Sequence, residues 1–226
     1  MKKILITFQL VLIIGLCGFT QDKEFTKPDY QTIKQEISDR QSDFYYPALF
    51  ERFENNDTTL THKDYRMLYY GYIFQDDYSP NDRSSYRDSL QALYEQDTLV
   101  EKDYRKIIRF EKGVLQNDPF SMRDLNTLAY SYSQTGEQEM TKKVDYKLNL
   151  IIETILSTGK GLKESNAWHV IEVSHEYDIL NVLGFQFKGE QSLRGEKYDY
   201  LKIKENRYGI PGFYFNVGQM LKKQQE

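Results

Sequence analysis

Two stretches of this chain repeat one another. Thr59-Leu-Thr-His-Lys-Asp-Tyr-Arg66 returns as Thr98-Leu-Val-Glu-Lys-Asp-Tyr-Arg105, identical at six of eight positions with an offset of 39 residues. The shared letters go beyond helix-capping chemistry to the Tyr and the Arg. The same offset carries Tyr86 onto Leu125, Leu90 onto Ala129 and Leu93 onto Tyr132. A repeat near 40 residues constrains a fold strongly, because each unit is too short to bury its own apolar face and must stack on its neighbour, as helix pairs do in α-solenoids. The helical content is explicit. Tyr65, Leu68, Tyr69, Tyr72 and Ile73 recur at the spacing of one helix face, with Thr61 as N-cap and Asp64 placed to close a capping box. Upstream, Leu49, Phe50 and Phe53 form a shorter stripe that Asn55, Asn56 and Asp57 end.

The region that follows resembles a tetratricopeptide unit. Leu125, Leu128, Ala129, Tyr132 and Gly136 keep that family's spacing, Pro119 falls where a preceding unit should end, and Ser121 with Asp124 can cap the first helix. Asp145, Leu148 and Glu153 depart from the pattern, standing where that family has an aromatic, a small residue and a proline. The partner helix is nonetheless clear from Met140, Val144, Leu148, Ile151, Ile152 and Ile155, a continuous apolar face that stops before Gly159 and Gly161. Beyond Gly161 the pattern turns toward alternation. Trp168–Val173, Phe185–Phe187, Tyr198–Ile203 and Phe213–Val217 read as short strands divided by turns such as Lys188-Gly189 and Tyr208-Gly-Ile-Pro-Gly212, whereas Tyr177, Leu180 and Leu183 favour a helical turn or two.

The expected fold class is therefore α+β and mainly α: a tetratricopeptide-like array of helical hairpins over residues 21–161, followed by a C-terminal α+β cap over 162–226 that contains a small antiparallel sheet and packs on the helices, together one compact domain. The length of 226 residues, with 39% hydrophobic and 28% charged, suffices for a real core. Nineteen tyrosines stand out beside 13 Phe and one Trp. Tyrosine can bury its ring while its hydroxyl finds a partner, or it can present the ring to a sugar or peptide. The first use is the expectation for most of them.

Residues 1–20 have the three-part form of a secretory leader, with Lys2 and Lys3, an apolar run from Ile4 to Leu16, and small residues before a cleavage point after Thr20. The chain is thus expected to be exported, periplasmic or secreted, with no transmembrane helix in the mature protein, since the apolar run is shorter than the roughly 20 residues a span needs. Cys17 is the one cysteine. Leu16, just before it, is wrong for lipoprotein processing, so lipid anchoring at Cys17 is the less favoured reading, and no disulfide or thiol chemistry is expected after cleavage. The formal net charge of −4 becomes two units more negative when Lys2 and Lys3 leave with the leader. Cations alternate with acids along the chain, which disfavours nucleic acid and anionic membrane surfaces.

Leu68-Tyr-Tyr-Gly-Tyr-Ile-Phe-Gln75, followed by Tyr78-Ser-Pro80, preceded by Phe44-Tyr-Tyr-Pro47 and closed by Tyr214-Phe-Asn-Val217, is similar to an uncharacterised family of exported Bacteroidetes proteins known as a domain of unknown function. The resemblance spans nearly all of the mature chain and supports export. It implies no activity, ligand or catalytic residue.

The chemistry-bearing residues are sparse. His169 and His175 would need a strand face in common and a third ligand to hold zinc; on a strand Glu172 and Glu176 alternate away, and on a helix six residues separate the rings too far. No H-E-x-x-H, G-x-S-x-G, Walker or dinucleotide-binding pattern occurs. Asp76, Asp77 and Asp82 cluster in the Gln75–Arg83 loop without the order of a calcium loop. No catalytic residue, metal ligand or cofactor is assigned. Because rings and hydrogen-bonding groups converge after the Tyr-rich helix, Tyr70, Gln75, Asp76 and Tyr78 are the candidate binding residues. The expected function is a non-enzymatic binding or scaffold protein of the envelope with a protein, peptide or glycan partner. The alternative is a hydrolase acting on glycan or envelope material through paired carboxylates.

Overall fold

The computed structural model describes residues 25–79 and 84–225. The leader, Cys17, and Pro80 and Asp82 lie outside the described residues. Two short helices open the fold, α1 (Tyr30–Ser38), capped by the Asp29 carboxylate, and α2 (Tyr46–Glu54), with Pro47 in its first turn. Helix α3 (His62–Gly71) carries the expected capping box: the Asp64 amide donates to Thr61 Oγ1 at 3.3 Å and the Thr61 amide to Asp64 Oδ2 at 2.7 Å. A 3-10 turn over Tyr72–Phe74 follows, then α4 (Tyr86–Tyr94), α5 (Glu101–Asn117), α6 (Met122–Gln134) and α7 (Gln138–Leu156).

The 39-residue echo marks two helix starts, α3 at His62 and α5 at Glu101. At the second only half of the box survives: the Val100 amide donates to Asp103 Oδ2 at 3.4 Å, and valine has no oxygen to return the bond. Packing then diverges. Helices α5, α6 and α7 lie against one another in succession, with α4 on α5, whereas α3 packs on α7, α1 and α2. The repeated segments thus start helices alike without forming equivalent hairpins. The α6–α7 hairpin is formed as its spacing requires, with Leu125, Leu128, Ala129 and Tyr132 buried and the turn passing through Gly136 at φ +78°.

Four strands close the C-terminal end: β1 (Trp168–His169), β2 (Phe187–Arg194), β3 (Tyr198–Ile203) and β4 (Gly212–Asn216), in the order β1-β4-β3-β2. The sheet is mixed, which corrects the antiparallel expectation. β1 runs parallel to β4 because the chain crosses over through α8 (Val173–Val182) and the β2–β3 hairpin before β4 returns. The strand expected over Trp168–Val173 stops at His169, since Val173 already begins α8. Lys188-Gly189, expected as a turn, lies inside β2. The register against β3 slips between Phe187 and Gln191, and Gly189 takes φ +97°, so the glycine serves a bulge. A last helix, α9 (Gly218–Lys223), ends the fold.

One buried cluster runs from Ile33 in α1 through α2, α3, α6 and α7 to Phe213 and Met220, so the change of pattern near Gly161 does not divide the core. Trp168 joins the two regions. Its ring lies 5.0 Å from Phe213, its Nε1 donates to Gly159 O at 2.9 Å, and its face rests on Gly161, where φ is +68° and a Cβ would come within 2.5 Å of the indole. A small second cluster, Leu90, Leu93, Ile107 and Val114, lies between α4 and α5. Among the described residues no helix is long and apolar enough to cross a membrane.

Candidate ligand groove

The tyrosines of the third helix are core. Tyr70 is fully buried, and its hydroxyl donates to His169 O at 3.2 Å and Thr154 O at 3.4 Å. Tyr78 is buried edge-on to Tyr72 and donates to Ile171 O at 2.5 Å. Gln75, half-buried, turns its amide back to Gly71 O at 3.1 Å, and Asp76 is exposed. The stacking surface expected from Tyr70, Gln75, Asp76 and Tyr78 is therefore not formed: both ring faces are occupied by the core, and the hydroxyls satisfy buried carbonyls. Nor do the histidines converge. His62 is exposed and hydrogen-bonded to Glu153, His169 Nδ1 meets the Tyr30 hydroxyl at 3.3 Å, and His175 Nδ1 meets the Tyr69 hydroxyl at 2.8 Å. Burial lowers His169 to about 4 and His175 to about 3, so both rings are neutral at physiological pH. Among the described residues no group of three His, Cys, Asp or Glu could hold a metal ion.

Acids are buried in unusual number beneath the helices. Glu111 and Asp124 sit side by side. Arg87 grips Asp124 with both terminal guanidinium nitrogens, at 2.6 and 2.5 Å, while Ser121 Oγ donates to it at 2.6 Å. Tyr94 donates to Glu111 at 2.6 Å. Burial first, then the negative charge of Asp124, pushes Glu111 up to about 8, so at neutral pH it holds a proton. Glu176 is pushed up to about 9 by burial and by Asp199, and Gln191 Nε2 bridges this pair at 3.2 and 2.7 Å. A protonated acid beside an ionised one is the arrangement of paired-carboxylate chemistry, but these pairs tie α4 to α5 and α6, and α8 to β2 and β3.

Open space lies elsewhere. A groove of about 230 Å³ runs between α2, α5, α6 and α7. Leu125, Leu128 and Tyr132 of α6 and Met140 and Val144 of α7 make an apolar floor; Phe53 and Glu54 close one side, and Lys112, Leu115 and Gln116 the other. Lys147, one turn beyond Val144, enters with its stem buried at 7% exposure and its ammonium 4.0 Å from the centre of the Phe53 ring. Burial lowers Lys147 to about 8, partly opposed by the negative charge of Glu54. A second cleft, of about 280 Å³, lies between the start of α3 and the end of α7. Its cations are already engaged: Arg66 donates to Thr26 O at 2.6 Å and to Ser157 Oγ at 3.4 Å, and Lys63 lies over the Phe44 ring, 4.4 Å from its centre.

The groove residues were missed because each reads as ordinary core. One signal was present: Lys147 occupies the i+3 place of the stripe Val144, Leu148, Ile151, where a charge inside an apolar face has to be explained. Glu111, between Ile107 and Val114 on α5, breaks its stripe in the same way. No curated protein and no solved structure matches the chain. Residues 31–226 match the family described as a domain of unknown function (DUF4919), and the chain belongs to that family.

Proposed function

We propose that this is an exported, non-catalytic binding protein of the cell envelope that seats a peptide segment of a partner protein in the groove between α2, α5, α6 and α7. The observation that carries this reading is the groove itself: a concavity between four helices in which Leu115 and Met140 stay half-buried and the polar Glu54, Lys112 and Gln116 are exposed. Its size supports a segment of chain over an enclosed small molecule, since about 230 Å³ is less than the roughly 300–1,000 Å³ of typical small-molecule sites and suits a few side chains. A glycan is less well served, because sugar stacking needs free ring faces and the two aromatic linings, Phe53 and Tyr132, are 2% and 5% exposed. The leader read at residues 1–20 supports export, and the spacing of the α6–α7 hairpin supports a tetratricopeptide-like mode of presentation.

The hydrolase reading has less support. The described linings of the two clefts hold one carboxylate each, Glu54 in the groove and Glu153 in the other, whereas glycoside chemistry needs two about 5–10 Å apart across a bound substrate.

A photo-crosslinking amino acid at Gln116, on the groove rim, tests the proposal, with Lys188 on the remote strand β2 as the control position. The expected result is a discrete adduct from Gln116 in envelope preparations, at least tenfold stronger than from Lys188 and abolished by Met140→Arg in a protein with an unchanged circular dichroism spectrum. Equal labelling from both positions, or adducts indifferent to Met140→Arg, sinks it.

A further inference from the structure

The groove contains one charge that its own walls leave unanswered. Lys147 is 7% exposed, yet no hydrogen bond or ion pair to it is formed among the described residues; its ammonium lies instead over the uncharged face of Phe53. Glu54, on the same wall, is exposed and acts on it only at a distance. An ammonium held mostly out of water with no counter-ion beside it is costly, and a methionine would fill the same space without that cost. The position makes sense where a counter-ion arrives from outside. Lys112, exposed on the opposite wall, adds charge of the same sign.

Resting on the reading of the groove as a binding site, we propose that its ligand is a peptide segment with apolar side chains and one carboxylate, and that the carboxylate is seated on Lys147. The apolar side chains rest on Leu115 and Met140, the half-buried apolar linings of the groove, which removes water from around the ammonium and strengthens its pairing. Charge complementarity thus sets the register of a segment that the apolar floor alone would let slide.

The test uses the mature protein and three pools of tetrapeptides randomised over Leu, Ile, Val, Phe and Tyr: one with a free C-terminal carboxylate, one amidated, and one amidated with an Asp at a fixed position. Binding is followed by amide chemical shifts of Leu128, Tyr132 and Val144. The expected result is at least tenfold tighter binding of a carboxylate-bearing pool than of the plain amide, with the preference lost in Lys147→Met and kept in Lys147→Arg. The free-acid and Asp pools distinguish a chain terminus from an acidic side chain as the source. Equal groove binding by all three pools overturns the carboxylate assignment and leaves the groove reading standing. Absence of groove shifts with every pool, at millimolar concentration, overturns both.

Discussion

Lys147 shows how one side chain can be detrimental to the fold and useful at a site. Its ordinary value is 10.5 and its folded value about 8. A cation with a lowered folded pKa binds its proton less tightly when folded, so it destabilises at all pH below 8 and the penalty fades as pH rises from 8 toward 10.5. Lys147→Met is accordingly expected to stabilise the protein at pH 7, by up to about 3 kcal/mol, as read by urea unfolding, while weakening carboxylate binding. A loss of stability in that variant would mean that the cation–π contact with Phe53 outweighs desolvation. Glu111 and Glu176 have the opposite sign. Their folded values, about 8 and about 9, lie above the ordinary 4.5, so the folded state holds protons that the unfolded chain releases, and stability falls as pH rises through that interval. The buried histidines, lowered to about 4 and about 3, oppose this only below their ordinary 6.5. Between pH 6.5 and 8 the acids therefore act alone among these four groups. We expect a loss of roughly 2–4 kcal/mol across that window, seen as a falling thermal midpoint, and a flatter profile in the Glu111→Gln, Glu176→Gln double variant.

At the scale of elements, α4 is the weak layer. Only Leu90 and Leu93 are buried along it, in a satellite cluster apart from the main core. Its close fit to α5 depends on Gly113, where a Cβ would fall 2.3 Å from the Tyr86 ring, while the bidentate Arg87–Asp124 pair ties it to α6. Amides of α4 should exchange before those of α6 and α7 in hydrogen-exchange mass spectrometry. Asp124→Asn should accelerate α4 further and cost about 3–5 kcal/mol overall, because it strips the buried partner from Arg87. Uniform exchange across α4, α6 and α7 would show instead that the helices open as one unit. The same contrast explains the echo. Lys-Asp-Tyr-Arg starts a helix at both places, because the carboxylates of Asp64 and Asp103 each accept the amide of the residue three before them, within one turn; what the helix then packs on depends on residues far away.

For the whole molecule, the division between local and distant causes is clear. Helix starts at Thr61 and Ser121, the α6–α7 hairpin, the third strand and the mainly α class were legible in the sequence, since capping, amphipathic period and turn glycines act over a few residues and leave their pattern in order along the chain. That most tyrosines would serve the core was legible too, from the ring and hydroxyl together. Tertiary structure alone decided the rest. The parallel seating of β1 beside β4 depends on a crossover of some 40 residues, and the bulge at Gly189 on where β3 offers its partners. Tyr70 and Tyr78 became core because Thr154, His169 and Ile171, all more than 80 residues away, supply carbonyls for their hydroxyls. The groove exists because α2 meets three later helices, α5, α6 and α7, across a gap that none of them fills. A local pattern can place a lysine on an apolar stripe; only the meeting of distant helices can bury that lysine, deny it a partner and turn it toward open space.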